Sequence, residues 1–119
     1  MYQYKAKVNR VIDGDTVVLD IDLGMEVWLH DQHIRLANFD APETRTRDLE
    51  EKKRGLAAKV FLQDHLPVGS DVILDSREYH GERGKYGRVL GDIQIPSSGI
   101  SSIVELMKSN GHSKHEGNP

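Results

Sequence analysis

The segment VNRVIDGDTVVLDIDL, residues 8–23, has the pattern of a β-hairpin. Apolar side chains alternate with polar ones before and after the dipeptide Asp13-Gly14, which is typical of a tight turn between antiparallel strands. After Gly24 a third extended run, residues 26–39, again carries spaced apolar residues. The sequence therefore predicts a meander of three strands over residues 2–37.

The periodicity changes near residue 48, where apolar residues begin to recur at helical spacing. Asp48 with Glu51 resembles a capping box, and Pro67 and Gly69 end the pattern. We therefore predict one helix of about four turns near residues 48–65. Its inward face is predicted to carry Leu49, Leu56, Ala57, Val60 and Phe61.

Two more extended runs, near residues 70–76 and 87–95, predict a fourth and a fifth strand. Ser102 with Glu105 can cap a short C-terminal helix. Three strands, a helix and two strands favour a small five-stranded barrel of the OB type in the α+β class, because exposed sheet edges are a liability. We expect one domain over residues 1–111, followed by a polar tail over residues 112–119.

The composition excludes several classes of protein. The chain has 119 residues, which suits a single compact domain, and no cysteine, which excludes disulfides and thiolate zinc sites. No apolar run is long enough to span a bilayer, and the N-terminus lacks the apolar core of a signal peptide. We expect a cytoplasmic monomer. The net charge of -3 argues against binding a polyanion by bulk positive charge, so such a partner would need a local basic face or a bound cation.

The segment FDAPETR, residues 39–45, places Asp40 and Glu43 on either side of a proline. On those residues alone a polar turn is the simplest interpretation. Asp13 is assigned to turn formation, but Asp15 is expected to open the second strand, where aspartate is disfavoured. If Asp15 and Asp40 converge from different strands, their carboxylates form a hard oxygen site suited to Ca²⁺ or Mg²⁺.

Two arginines extend this constellation. Arg35 is expected at the end of the third strand, and Arg88 at the start of the last strand. Two guanidinium groups and a divalent cation around one point can hold and polarise a phosphodiester. Glu43 could then orient or deprotonate an attacking water, and Pro42 would keep Glu43 and Asp40 in a fixed relation.

The motifs VIDGDTVVL, IRLANFDAPET and KYGR, in this order, closely resemble the staphylococcal nuclease (thermonuclease) family over about residues 6–111. The resemblance implies an OB-fold barrel with a Ca²⁺-dependent site that cleaves DNA and RNA and leaves 3′-phosphate ends. It also implies that nucleic acid is the partner, bound as a substrate.

The resemblance assigns roles to individual residues. Asp15 and Asp40 would bind Ca²⁺ through their carboxylates, and Ala41 would add its main-chain carbonyl, where the family often has threonine. The implied catalytic residues are Arg35, Glu43 and Arg88. Lys85 and Tyr86 resemble the family's contacts to the terminal phosphate of a bound nucleotide. Well-studied members are basic and continue into a further C-terminal helix, whereas this chain is acidic and stops at Pro119.

Two other hypotheses stand beside a nuclease. A non-catalytic OB module that binds nucleic acid or protein would be expected to lack at least one of the acids or arginines, and this chain has the full set. A purely structural calcium-binding domain leaves Arg35 and Arg88 unexplained. Degradation of nucleic acid with Ca²⁺ and with a chelator discriminates these hypotheses.

Overall fold

The computed structural model describes residues 2–76 and 89–114, and it confirms the predicted closed five-stranded barrel with two helices. The strands close in the order β1-β2-β3-β5-β4. Their bounds are β1 Gln3–Asp13, β2 Thr16–Asp22, β3 Trp28–Leu36, β4 Asp71–Asp75 and β5 Val89–Gln94. The helices are α1 Leu49–His65, between β3 and β4, and α2 Ile103–Ser109.

The barrel closes through a parallel pair, β3 with β5, while its other strand pairs are antiparallel. In this pair Arg35 lies opposite Leu90, and Leu36 lies opposite Gly91. In the β2–β3 pair, Thr16 lies opposite Arg35. The end of β3 is therefore flanked by the start of β2 on one side and by β5 on the other.

The first hairpin turns one residue later than the sequence suggests. Asp13 is the last residue of β1 and pairs with Thr16, so Gly14 and Asp15 form the turn. The expectation that Asp15 opens the second strand is wrong, and aspartate in a turn needs no special reason. What marks Asp15 instead is its position, because its carbonyl accepts a hydrogen bond of 2.9 Å from the amide of Leu36 at the end of β3.

Both helices begin at the predicted caps. The side chain of Asp48 accepts hydrogen bonds from the amides of Glu50 and Glu51, and that of Ser102 accepts one from the amide of Glu105. These contacts satisfy amide groups that have no partner within the helix.

The face of α1 that packs on the barrel differs in part from the predicted one, because Phe61 packs against the core as predicted but Ala57 is exposed. Leu56 and Val60 are 46% and 53% exposed, and Leu49 is 77% exposed, whereas Gly55, Ala58 and Leu62 are buried. The reason is the short distance between the helix and the chain beneath it. A Cβ on Gly14 would lie 2.8 Å from the Cβ of Ala58, which leaves no room for a larger side chain at residue 58.

The core fills the barrel and extends beneath both helices. It includes large, fully buried side chains from three strands and both helices: Leu19, Ile34, Leu74, Leu62, Ile103 and Met107. Within residues 2–76 and 89–114, no helix combines the length and the apolar character needed to cross a membrane.

Candidate active site

The segment between β3 and α1, residues 37–48, carries the acids noted in the sequence and is called the acidic loop below. Asn38 adopts a left-handed conformation with φ of 57°, which reverses the chain after β3. Phe39 and Ala41 are then buried, whereas Asp40 and Glu43 are exposed. The loop is thus anchored by its apolar residues, and the carboxylates of Asp40 and Glu43 face outward.

Arg35 joins the acidic loop to the first hairpin. Its Nη1 donates hydrogen bonds to the carbonyl oxygens of Leu36 and Phe39. Its Nη2 donates to Asp40 Oδ1 and lies 3.4 Å from Asp15 Oδ2. The structure therefore brings the carboxylates of Asp15 and Asp40 to the same nitrogen atom of Arg35, whose side chain is only 18% exposed.

The carboxylate of Asp15 also accepts one hydrogen bond from the acidic loop and one from within the hairpin. Its Oδ2 accepts a hydrogen bond of 3.1 Å from the amide of Ala41, and its Oδ1 accepts one of 3.1 Å from the hydroxyl of Thr16. The first hairpin and the acidic loop are therefore joined through Asp15 Oδ2 and through Arg35, while Asp15 Oδ1 is held within the hairpin.

Asp13, which was expected only to form the turn, also contacts the acidic loop. Its Oδ1 accepts a hydrogen bond of 2.8 Å from the hydroxyl of Thr44, so it ties the end of β1 to the acidic loop. The pattern Asp-Gly-Asp predicted a turn, and nothing near it in the sequence indicated that Thr44 would be the partner.

Gly55 of α1 allows the acidic loop to approach the helix closely. A Cβ at this position would lie 2.7 Å from the carbonyl oxygens of both Pro42 and Glu43. Contacts this short with backbone atoms cannot be relieved by rotating a side chain. The position of Glu43 therefore depends on the absence of a side chain at residue 55.

We expect the substitution Gly55→Ala to destabilise the protein by about 1–3 kcal/mol, because the loop backbone must move away from the added methyl group. Helix propensity alone would make alanine more stable than glycine by about 1 kcal/mol. A loss of stability therefore indicates the steric contact with the loop, and a gain indicates helix propensity. The free energy of unfolding is measured by urea denaturation.

The matched control is Ala57→Gly, which lies on the exposed side of α1 and reports the helix-propensity effect alone. The close approach would have no energetic importance if Gly55→Ala stabilised the protein by as much as Ala57→Gly destabilised it.

Residues 112–114, which the sequence analysis assigned to a polar tail, pack against α1 and the acidic loop, and are called the docked segment below. The ring of His112 lies 4.5 Å from that of Phe61, and burial lowers the pKa of His112. Arg54 Nη2 donates to the carbonyls of Ser113 and Lys114, at 2.9 and 3.1 Å. The amide of Lys114 donates to the carbonyl of Asp40 at 2.6 Å.

These elements enclose a predominantly polar pocket of about 480 Å³. It is lined by Asp13, Asp15, Thr16, Arg35, Asp40, Ala41, Glu43 and Lys114. Four of these side chains are carboxylates and two are basic, which leaves two negative charges. A divalent cation would balance that charge, and carboxylate oxygens are the ligands that Ca²⁺ prefers.

The structure does not test the other predicted metal and nucleotide contacts. No set of three or more acidic or histidine side chains is arranged to hold a metal within the part of the chain that the structure describes. Ala41 contacts Asp15 through its amide, so the role of its carbonyl stays a prediction. Lys85, Tyr86 and Arg88 lie outside the described residues.

Comparison with known proteins gives several matches. Residues 33–116 match the family described as "Staphylococcal nuclease homologue". A thermonuclease of Staphylococcus intermedius is 39% identical over 89 residues, which are 74% of this chain and 47% of that protein. The thermonuclease of Staphylococcus hyicus is 34% identical over 75% of this chain and 47% of its own length. Endonuclease YhcR of Bacillus subtilis is 32% identical over 90% of this chain.

The chain therefore spans about half of each thermonuclease, and it spans 8% of the endonuclease. The family match begins at residue 33, so it contains Arg35, Asp40 and Glu43 but not Asp15.

Proposed function

Since this chain belongs to the staphylococcal nuclease family, we propose that it is a nuclease that hydrolyses phosphodiester bonds of DNA, RNA or both. The observation that carries the proposal is the convergence of Asp15 and Asp40 on Arg35, in a pocket that Glu43 also lines. The names of the relatives, two thermonucleases and an endonuclease, support the same class of reaction.

The proposed cofactor is Ca²⁺, held by the carboxylates of Asp15 and Asp40 and by the carbonyl of Ala41. Support comes from the donor chemistry. The carboxylates of Asp15 and Asp40 both lie beside Nη2 of Arg35, so they are close together, and the pocket that they line carries more acidic than basic side chains. When bound, the ion would neutralise charge on the phosphoryl oxygens of the substrate.

Glu43 is proposed to orient or deprotonate the attacking water. Its side chain is 61% exposed and lines the pocket, so water can reach it. A carboxylate in this position can accept a proton as the water attacks phosphorus. Arg35 is proposed to stabilise the charge that develops on the phosphate oxygens, because a guanidinium matches their geometry and keeps its proton.

Cleavage is proposed to release the 5′ oxygen and to leave a 3′-phosphate. This polarity, like the roles of Arg88 as a second catalytic arginine and of Lys85 and Tyr86 as contacts to a terminal phosphate, rests on the family resemblance. Separation of the products of an oligonucleotide with a 5′ fluorophore, before and after phosphatase treatment, tests it, since only a labelled product with a 3′-phosphate end changes its mobility.

Purified protein is expected to degrade single-stranded DNA or RNA when Ca²⁺ is present and to lose this activity in excess chelator. The physical reason is that the acidic pocket needs a cation before it can hold a phosphodiester. The measurement is acid-soluble nucleotide release over time, with restored activity after Ca²⁺ is added back.

A non-catalytic nucleic-acid-binding module predicts a different result. It would cleave neither DNA nor RNA in Ca²⁺, and its affinity for a labelled oligonucleotide would fall steeply with salt, as phosphate contacts are screened. Binding without cleavage under all these conditions would overturn the proposed enzyme.

A further inference from the structure

The ammonium group of Lys114 lies beside two carboxylates that belong to different elements. Its Nζ is 3.8 Å from Glu51 Oε1, in the first turn of α1, and 4.0 Å from Glu43 Oε1, in the acidic loop. The amide of Glu43 also lies 3.5 Å from Glu51 Oε1. The two carboxylates therefore lie beside the same ammonium group, close enough for their like charges to repel each other.

The two basic side chains that line the pocket serve different acids. Arg35 contacts Asp15 and Asp40, whereas Lys114 lies beside Glu43. Without Lys114, Glu43 would face the negative charge of Glu51 with no cation beside it among the described residues that line the pocket.

We propose that Lys114 is a positioning residue for Glu43, an inference that rests on the function proposed above. It offsets the charge of Glu51, and so keeps the Glu43 carboxylate at the position from which it acts on water. Lys114 acts through Glu43 and is not itself assigned a contact with the substrate.

The backbone of the docked segment fixes where this lysine can reach. The amide of Lys114 donates to the carbonyl of Asp40, and its carbonyl accepts from Arg54 on α1. Residue 114 is thus held by the acidic loop on one side and by the helix on the other. Because its backbone is held at both ends, the side chain of Lys114 stays within reach of the carboxylates of Glu43 and Glu51.

The side chains of Lys114 and Glu43 are 39% and 61% exposed, so the pair contributes little to stability. We therefore expect Lys114→Gln to fold normally and to lower kcat by about two- to fivefold, with KM little changed. Lys114→Arg keeps the charge and should restore most of the rate. Steady-state kinetics on single-stranded DNA with Ca²⁺ measure both values.

The matched control is Lys7→Gln. Lys7 also forms an exposed ion pair, 2.7 Å from Asp71, but it is not among the residues that line the pocket. This variant loses the same charge and the same kind of pair, and it should keep the wild-type kcat. If the wild type is active and Lys114→Gln has the same kcat as Lys7→Gln, the role of Lys114 is overturned, while the proposed nuclease function is not affected.

A double-mutant cycle tests whether Lys114 acts through Glu43. In the Glu43→Gln background, Lys114→Gln should lower kcat no further, because the group that it positions has lost its charge. An equal fall in both backgrounds would contradict the inference, since Lys114 would then act independently of Glu43. Absence of cleavage by the wild type would overturn the proposed function and this inference with it.

Discussion

Arg35→Ala is expected to lower turnover on single-stranded DNA by on the order of 100-fold, the loss typical of removing one preorganised donor from a catalytic site. The guanidinium is held by two carbonyl oxygens and two carboxylates, so its orientation is fixed before the substrate binds. Such a group stabilises charge in the transition state without first having to reorganise. Single-turnover measurements with saturating protein report this effect on the chemical step.

The control for Arg35 is Arg35→Lys. Lysine keeps the positive charge beside Asp15 and Asp40 but lacks the planar fork that matches a phosphate, so rescue should be incomplete. Thermal unfolding of both variants shows whether the contacts to Leu36 and Phe39 are also needed for stability. An alanine variant with wild-type turnover would leave Arg35 a structural residue and would refute its catalytic role.

Asp15→Asn is expected to weaken Ca²⁺ binding by about tenfold or more, because affinity for Ca²⁺ depends on the number of charged ligands. Asparagine has nearly the same shape and can still accept the hydrogen bond from the amide of Ala41. The turn should therefore stay in place while the charge is lost. Isothermal titration calorimetry of the purified variant measures the change in affinity.

The matched control for Asp15→Asn is Glu43→Gln, which removes one negative charge from the same pocket. Because Glu43 is proposed to act on water, its loss should reduce turnover and leave Ca²⁺ affinity nearly unchanged. If both variants lost affinity equally, the ion would respond to the total charge of the pocket, and Asp15 would not be a specific ligand.

Much of the fold is readable from the sequence because strand alternation and helix caps are local signals. The hairpin, the third strand, Asp48 and Ser102 all follow from residues close together in the chain. The face of α1 could not be read in this way. Hydrophobicity favours Leu56 and Val60 as the buried residues, yet both are exposed. Gly55 and Ala58 face the barrel instead, because the acidic loop and the first hairpin lie too close to the helix for larger side chains at these two positions.

The candidate site is also only partly readable. Asp15, Arg35 and Asp40 stand out as charged residues in motifs, and the structure brings these three together. The contacts of Asp13 with Thr44 and of Lys114 with Glu43 join residues far apart in the sequence. No local pattern predicts them, because they arise only when the barrel has closed and the docked segment has packed against the acidic loop.

The parallel pairing of β3 with β5 has a consequence for how the protein is made. During synthesis the first three strands leave the ribosome well before Val89, with which β5 begins. Until β5 is synthesised, the end of β3 is paired with β2 on one side only, and Lys114 is synthesised later still. Pairings between distant segments form slowly because a long loop must close first. We therefore expect Asp40 and Glu43 to reach their final positions among the last events of folding.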